Sequence, residues 1–559
     1  MAKGAIGSAL WILLSTMPVG TGSCLTRELA MRLTVNVWRV WLPVLLICLV
    51  SLPGVAAGAT VYYVDDGAPG GGDGASWESA FNDLQEALYL GIVGDEIHIA
   101  GGTYRPAPAN GDPNVAFHLL DRVAIYGGFA GYGAPDPDER NIFAYETILS
   151  GDLNDDDSTG GHSDNSHHVV VADHAIDQRT ILDGVTVTGG FSTDLGGGGM
   201  LNFGGPWLNE CTFRQNSAEY GGGLFNDRGS PLLSSCTFED NTAVQSGGAM
   251  YDFSFPGDES PSLVYCAFNE NSAGSRGGGM RVYDSSPTLF GCSFYYNTCR
   301  FDGAAMANGG TGSPMVTNCT FSWNRTDTLF GVWDSFGGAM SNFDDNSPVL
   351  RNCTFYSNSA HSLLPGLSFG GAIANGGNSA PAIIHCTFKN NDANVSDGLH
   401  NMDSSSPSLD GCILWNGGDE IGNDDLAAIT VTYSDVDGDW FGEGNIDQNP
   451  LFDGLRLSPS SPCINKGDPQ HDPGTSPIDL DGHFRVLCLV VDMGAYEFGI
   501  GDFDCDRNVD LTDYENWTDC MTGPDLGMYP VDCEPFDFDF DCDVDLSDFA
   551  RFQAVFGDG

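Results

Sequence analysis

The feature that most limits what this chain can fold into is a periodicity. Cys211, Cys236, Cys266, Cys292, Cys319, Cys353, Cys386 and Cys412 recur at intervals of 25, 30, 26, 27, 34, 33 and 26 residues. Each cysteine opens one short pattern, seen as Cys211-Thr212-Phe213-Arg214-Gln215-Asn216-Ser217-Ala218 and again as Cys353-Thr354-Phe355-Tyr356-Ser357-Asn358-Ser359-Ala360. In the first seven copies an asparagine stands five residues after the cysteine. A glycine element follows, as in Gly221 to Leu224, Gly247 to Met250, Gly277 to Met280, Gly337 to Met340 and Gly370 to Ile373. A proline then closes the unit at Pro231, Pro261, Pro287, Pro314, Pro348, Pro381 and Pro407. Such a period is the mark of a repeat architecture, in which each unit buries its apolar face against its neighbours.

Within a unit, Cys and Phe alternate with polar residues, which is strand periodicity with one face buried. Gly runs and prolines cut the unit into several short strands. The expected fold is therefore all-β, a parallel β-helix solenoid with each coil about 4.8 Å above the last. Stacked in register, the cysteines and phenylalanines form inward columns. Asn216, Asn241, Asn271, Asn297, Asn324, Asn358 and Asn391 form a side-chain amide ladder, because an amide can donate to one neighbour and accept from the other. Cysteine here reads as a small buried apolar residue rather than a metal ligand, and stacked side chains pointing the same way are badly oriented for disulfides.

The Cys-Thr-Phe-x-x-Asn-x-Ala and Gly-Gly-Gly-Met elements resemble the repeats of chlamydial polymorphic outer membrane proteins and related right-handed parallel β-helix proteins of the pectin-lyase-like class. The resemblance covers roughly residues 195 to 420. Upstream, Tyr63-Val64-Asp65, Gly70 to Trp77 and the amphipathic stretch Phe81 to Leu90 resemble the amino-terminal cap of such proteins. Downstream, Ser461 to Asp468, Asp479 to Gly482 and Asp492 to Glu497 are similar to the segment called choice-of-anchor Q. Both are expected to cap the solenoid, whose open ends would otherwise expose strand edges.

The chain has 559 residues, with 21 basic and 76 acidic side chains and a net charge of −55. That charge opposes binding to nucleic acid or anionic lipid. A neutral polysaccharide, cations and other proteins remain as partners, and an anionic polysaccharide would need calcium as a bridge. Arg32 and Arg39 precede the apolar run Val40 to Leu52 and the small residues Val55 to Ala59, the pattern of a signal peptide. The expectation is a leader and signal peptide over 1–59, a cap and first coils over 60–150, repeats over 151–440, a second cap over 441–499 and a separate module over 500–559. The run is too short to span a bilayer, so a secreted or cell-surface protein without membrane insertion after the signal peptide is expected. Of 17 cysteines, Cys24 and Cys48 fall in the leader; the odd number left implies a free thiol or a pair between chains.

The last 59 residues carry 17 acidic and 2 basic side chains. Asp502, Asp504, Asp506, Asp510 and Asp513 occupy positions 1, 3, 5, 9 and 12 of a twelve-residue loop, and Asp537, Asp539, Asp541, Asp545 and Asp548 repeat the spacing. With the carbonyls of Asn508 and Asp543 at position 7, these are the oxygen ligands of an EF-hand loop for Ca2+. An apolar helix face follows each loop: Tyr514, Trp517 and Met521, then Phe549, Phe552 and Phe556. The duplicated unit resembles a type I dockerin, which implies calcium binding and a cohesin-like partner. It departs from EF-hand loops at position 6, commonly Gly, where Arg507 and Cys542 stand; a left-handed turn there costs roughly 1–2 kcal/mol. Cys520 and Cys533 flank the linker between the halves and are disulfide candidates; Cys463 with Cys488 is a second candidate pair.

Two surfaces read as binding sites. The longest insertions carry Phe330, Trp333 and Phe336 in one coil and Leu363, Leu364, Leu367 and Phe369 in the next, an apolar patch if stacked. Tyr295, Tyr356 and Trp415 stand three residues after the repeat cysteine on alternate coils, about 10 Å apart, a spacing suited to sugar rings. The basic residues between 196 and 420 form no Arg-x-Lys or Gly-His-Gly signature of pectin hydrolases. The sequence therefore favours a non-catalytic β-helix binding or adhesion protein attached through the calcium-dependent end. The second reading is an extracellular polysaccharide lyase or glycoside hydrolase within a dockerin–cohesin assembly.

Overall fold

The computed structural model describes residues 59–499 apart from 194–195, 329–333, 363–366, 425, 472–476, 484 and 487–489, and beyond them 502, 505, 507, 511–522, 533, 536 and 544–555. Short strands stack into three long parallel sheets of 13, 12 and 11 strands and a fourth of six. The first sheet runs from Val61–Val64 to Thr430–Thr432, the second from Gly102–Tyr104 to Asp435–Val436 and the third from Phe117–His118 to Ile421–Asn423. Each coil contributes one strand to each long sheet in turn, so every neighbour in a sheet is the equivalent strand of the next coil. Among the described residues, the hairpin Phe452–Asp453 with Arg456–Leu457 is antiparallel, as is the isolated bridge of Phe129 with Arg140.

The repeat residues make the core as their periodicity requires. Phe213, Phe238, Phe268, Phe294, Phe321, Phe355 and Phe388 are buried in one column, with ring centroids 4.5–5.0 Å apart and nearly parallel planes. That spacing is the coil rise itself. The eight repeat cysteines form a second buried column of free thiols. They pair weakly with main chain, as where the Cys319 Sγ accepts from the Cys292 N–H at 3.3 Å. Burial holds the Cys412 thiol well above its ordinary pKa. The glycine elements are steric requirements: Gly277 has φ of 62°, and a Cβ there would lie 2.3 Å from the Met280 carbonyl oxygen.

The asparagine ladder is continuous. Each Nδ2 donates to the Oδ1 of the next coil at 2.9–3.1 Å, from Asn216 to Asn391 and on to Asn416. Every rung thus gives in one direction and receives from the other. The last rung has no amide beyond it, and buried Glu420 takes its place, accepting from Asn416 N and Nδ2 at 2.6 Å each and from the N–H groups of Gly417 and Gly418. A second ladder lies in the third sheet. Asn202 donates to Asn226 and Asn226 to Asp252; beyond Val282 it resumes as Asn308, Asn342, Asn375, Asn401 and Asn423. Asp252 ends the first stretch for the same reason as Glu420: an amide at this rung would face Val282, which accepts nothing.

Both ends are covered. Helix α1, Leu84–Leu90, begins at Asp83, whose side chain accepts from the Gln85 N–H at 2.9 Å. Its Leu84, Ala87 and Leu88 join the core beneath the first coil. At the other end, Glu443 and Ile446 accept from the Tyr433 and Val436 N–H groups of the final coil. Ile478, Asp479 and Ala495 do something a cap was not expected to do, lying back against the flank of the rod. The carbonyls of Ile478 and Asp479 accept from Asn352 and Asn318, and the Ala495 N–H reaches Thr387. Buried Arg485 holds this strap through Glu497 at 3.2 Å and the Asp492 and Gly494 carbonyls. Cys463 is a free thiol at 3.0 Å from Asp435 Oδ2, so the expected pairing with Cys488 does not form. No described helix is long and apolar enough to cross a membrane.

Candidate functional site

Stacking places Asn269, Tyr295, Ser322, Tyr356, Lys389 and Trp415 in one outward column of the second sheet. The expected aromatics do stand on alternate coils. After seven successive strands of the second sheet, from Thr212–Arg214 to Thr387–Lys389, the chain turns through a left-handed residue: Gln215, Asp240, Glu270, Tyr296, Trp323, Ser357 and Asn390 all have φ between 53° and 59°. Five are polar, as a corner of this kind favours, and two successive coils carry bulky rings, Tyr296 at 54° and Trp323 at 59°. A large side chain in that conformation is a local cost that corner geometry alone does not explain.

These two rings bridge the column. Tyr295 meets Tyr296 edge to face at 4.2 Å, Tyr296 stacks on Trp323 at 5.9 Å, and Trp323 meets Tyr356 at 5.9 Å. Tyr295, Tyr296 and Trp323 are 41%, 43% and 43% exposed, and Tyr356 is half-buried. The result is a continuous strip of four rings over three coils, about 10 Å along the rod. A contact with Tyr296 raises the Tyr295 phenol above its ordinary pKa, with desolvation, the Tyr296 charge and Glu270 adding, so it remains a neutral donor. Trp415 does not belong to this open strip. It packs half-buried against Leu457, Cys463 and Met493, and the intervening Lys389 donates to the Gly454 carbonyl and lies over Phe452 at 4.6 Å. The carboxyl-terminal segment has closed that end of the column.

The second expected surface is placed in part. Ser335–Phe336 pairs in parallel with Ser368–Phe369, and the two phenyl rings stack at 5.4 Å, half-buried. Phe330 and Trp333 lie outside the described residues. A concave surface elsewhere, of about 800 Å³, is lined by His174, Arg179, Phe203, Arg228, Phe255 and Glu259 among others. Its arginines are held by their own neighbours, Arg179 by Asp177 and Arg228 by Asp227 at 2.8 Å, each pair raising the arginine's pKa. Each pairing favours the protonated guanidinium.

In the acidic end, helices α2, Leu511–Cys520, and α3, Leu546–Val555, follow the two loops. Trp517 and Phe552 are buried together with Phe536 and Val544, and Cys520 is bonded to Cys533, with Cα atoms 5.5 Å apart. Tyr514 and Met521 are exposed rather than part of this core, and Phe556 lies outside the described residues. Of the expected ligands, Asp502, Asp513 and Asp548 are buried carboxylates, and Asp545 is half-buried. Asp504, Asp506, Asn508, Asp510, Asp537, Asp539, Asp541 and Asp543 lie outside the described residues. Arg507, at position 6 of the expected loop, has φ of 75° and donates its N–H to Asp502 at 2.9 Å, so the chain turns left-handed here without a glycine. Cys505 is disulfide-bonded.

The profile of the right-handed β-helix region matches residues 156–321 and 254–437, together half of the chain. The chain belongs to the right-handed β-helix family. Among solved structures, this β-helix protein is similar to pectate lyase Pel9A at 13% identity, over 79% of this chain and 97% of that one, with a TM-score of 0.37. It is also similar to a rhamnogalacturonan lyase at 11% identity, over 62% and 84% of the chains, with a TM-score of 0.30. Likeness at that level carries no argument about activity. No curated protein is significantly similar to it.

Proposed function

We propose that this β-helix protein is a secreted or cell-surface glycan-binding protein. It presents the Tyr295–Tyr296–Trp323–Tyr356 strip to a neutral polysaccharide and attaches through a calcium-folded, dockerin-like end to a cohesin-like partner. The observation that carries the glycan reading is the pair of bulky rings in adjacent left-handed corners, facing water and joined into one strip. Flat aromatic surfaces stack on the apolar faces of sugar rings, and phenol and indole groups supply donors at the edges. Three buried acidic positions at the ligand spacing and the left-handed Arg507 support the calcium reading, since carboxylate oxygens spaced around such a turn are the donor type calcium takes. The net charge of −55 favours an uncharged glycan over an acidic one.

Calorimetric titration of the mature chain with neutral and acidic oligosaccharides tests this. Trp323→Ala, which removes the ring shared by both neighbours, is expected to weaken binding of a neutral oligosaccharide by about tenfold or more, about 1.4 kcal/mol. Undiminished affinity in both Trp323→Ala and Tyr296→Ala would sink the reading. Release of reducing ends or of products absorbing in the ultraviolet would move it to catalysis.

A further inference from the structure

Between the strands Thr147–Ser150 and Val170–Ala172 the chain leaves the coil in a loop of acidic character. Asp152, Asp156 and Asp157 each present a carboxylate oxygen, and these oxygens lie within 4.8 Å of one another. Asp164 is close enough to be the largest charge acting on Asp156, whose pKa is raised first by desolvation and then by Asp164, Asp152 and Asp157. Against these four carboxylates the loop offers His162, at 2.6 Å from Asp157, while Arg105 is engaged with the Asp152 carbonyl and Asp155. Gathering like charges in this way is unfavourable unless something offsets it.

The polar atoms left over indicate what does. Asp156 Oδ1 and Asp164 Oδ2 are shut away from solvent and accept no hydrogen bond. Independently, Asn165 is 2% exposed, and its Nδ2 donates both to Asp157, at 3.0 and 3.1 Å, and to the Gly189 carbonyl at 2.7 Å. Those bonds fix the orientation of the amide and leave its Oδ1, on the same carbon, buried and without a donor. Gly161 closes the site from one side: a Cβ there would lie 2.5 Å from Asp156 Oδ1. Asp152 and Asp157 already accept from the Asp156 and Asp157 N–H groups, His162 and Asn165, but the three buried atoms without a donor, Asp156 Oδ1, Asp164 Oδ2 and Asn165 Oδ1, are all oxygens, the preference of a hard divalent cation rather than of zinc or copper.

We propose that Asp152, Asp156, Asp157, Asp164 and Asn165 form a calcium site, separate from the acidic end of the chain, that fastens this loop to the first coils of the rod. The ion satisfies the buried oxygens, and the loop closes at its base through Ser166 N–H to the Gly151 carbonyl at 2.8 Å.

Hydrogen exchange of the full mature chain, read peptide by peptide, separates this site from the acidic end. For a dissociation constant of roughly 10⁻⁴ to 10⁻³ M, about 5 mM calcium is expected to slow exchange in peptides within 151–166 by roughly 6- to 50-fold relative to chelator. In Asp156→Asn/Asp164→Asn that calcium dependence is expected to vanish, with peptides 320–327 reporting that the rod is folded. Equal exchange with and without calcium in the wild-type loop overturns the proposal whatever the variant does. So does undiminished slowing in a folded double variant.

Discussion

Replacing Asn297 by alanine removes one rung from the middle of the amide ladder, and the structure specifies the damage. The Asn297 Nδ2 donates to the Phe268 carbonyl at 2.8 Å and to Asn324 Oδ1 at 3.0 Å, and its Oδ1 accepts from the Asn271 N–H at 3.1 Å and Nδ2 at 3.0 Å. Asn324 Oδ1 keeps a second donor, the Asn297 backbone N–H, at 3.0 Å. Three buried groups therefore lose a partner: the Asn271 N–H, one hydrogen of its amide and the Phe268 carbonyl. At about 1–3 kcal/mol for each stranded group, and with water entering the space left behind, the expected loss is about 3–6 kcal/mol. Because a solenoid couples each coil mainly to its neighbours, the loss should concentrate in nearby coils. Urea unfolding gives the total, and native-state hydrogen exchange of peptides near 268–273 and 320–327 gives its location. A total below about 1 kcal/mol, no more than one ordinary hydrogen bond, would refute the view that the ladder organises the rod.

Glu420→Gln places an amide hydrogen where four donors already converge, and a loss of about 2–3 kcal/mol in urea unfolding is expected, against little change if the terminus is merely solvated. Gly277→Ala combines a left-handed φ with a backbone contact at 2.3 Å and should cost about 2 kcal/mol or more, whereas Gly94→Ala, left-handed at 96° with open space around it, should cost about 1–2 kcal/mol by the same assay. Desolvation raises the carboxyl groups of Asp252, Asp435 and Asp492 to about 6. Each holds a proton in the folded state that the unfolded chain has released above about 4, so its contribution favours folding below pH 4 and is lost as the pH rises to 6, by up to about 3 kcal/mol. A carbon-13 NMR titration that placed the Asp252 carboxyl, assigned through Asp252→Asn, near 4 would contradict this.

What could be read from the sequence was what the repeat fixes at constant offset. The Phe column and the Asn216-to-Asn391 ladder follow from spacing to the cysteine, because coils in register put equal offsets in contact. The ladder through Asn202 and Asn308 was missed because Asp252 and Val282 interrupt it, and an interruption hides a column in a single sequence. Tyr296 and Trp323 were missed for a different reason. Their importance comes from a backbone conformation, and a corner residue looks like any other until its φ is known. The covering of Trp415 could not be read because spacing within the repeats says nothing of a segment that folds back over them. The oxygen cluster around Asp156 combines residues on either side of a turn, and only the burial of particular atoms distinguishes it from a solvated acidic stretch.

The one-way traffic of the amide ladder bears on how rods of this kind change length. A coil duplicated in the interior brings its own asparagine, takes a bond from behind and passes one on, so the copy is accommodated at once. Extension beyond Glu420 would set a second acceptor against an acceptor and fail. Lengthening should therefore occur by copying from the middle, with the final turn carried along unchanged.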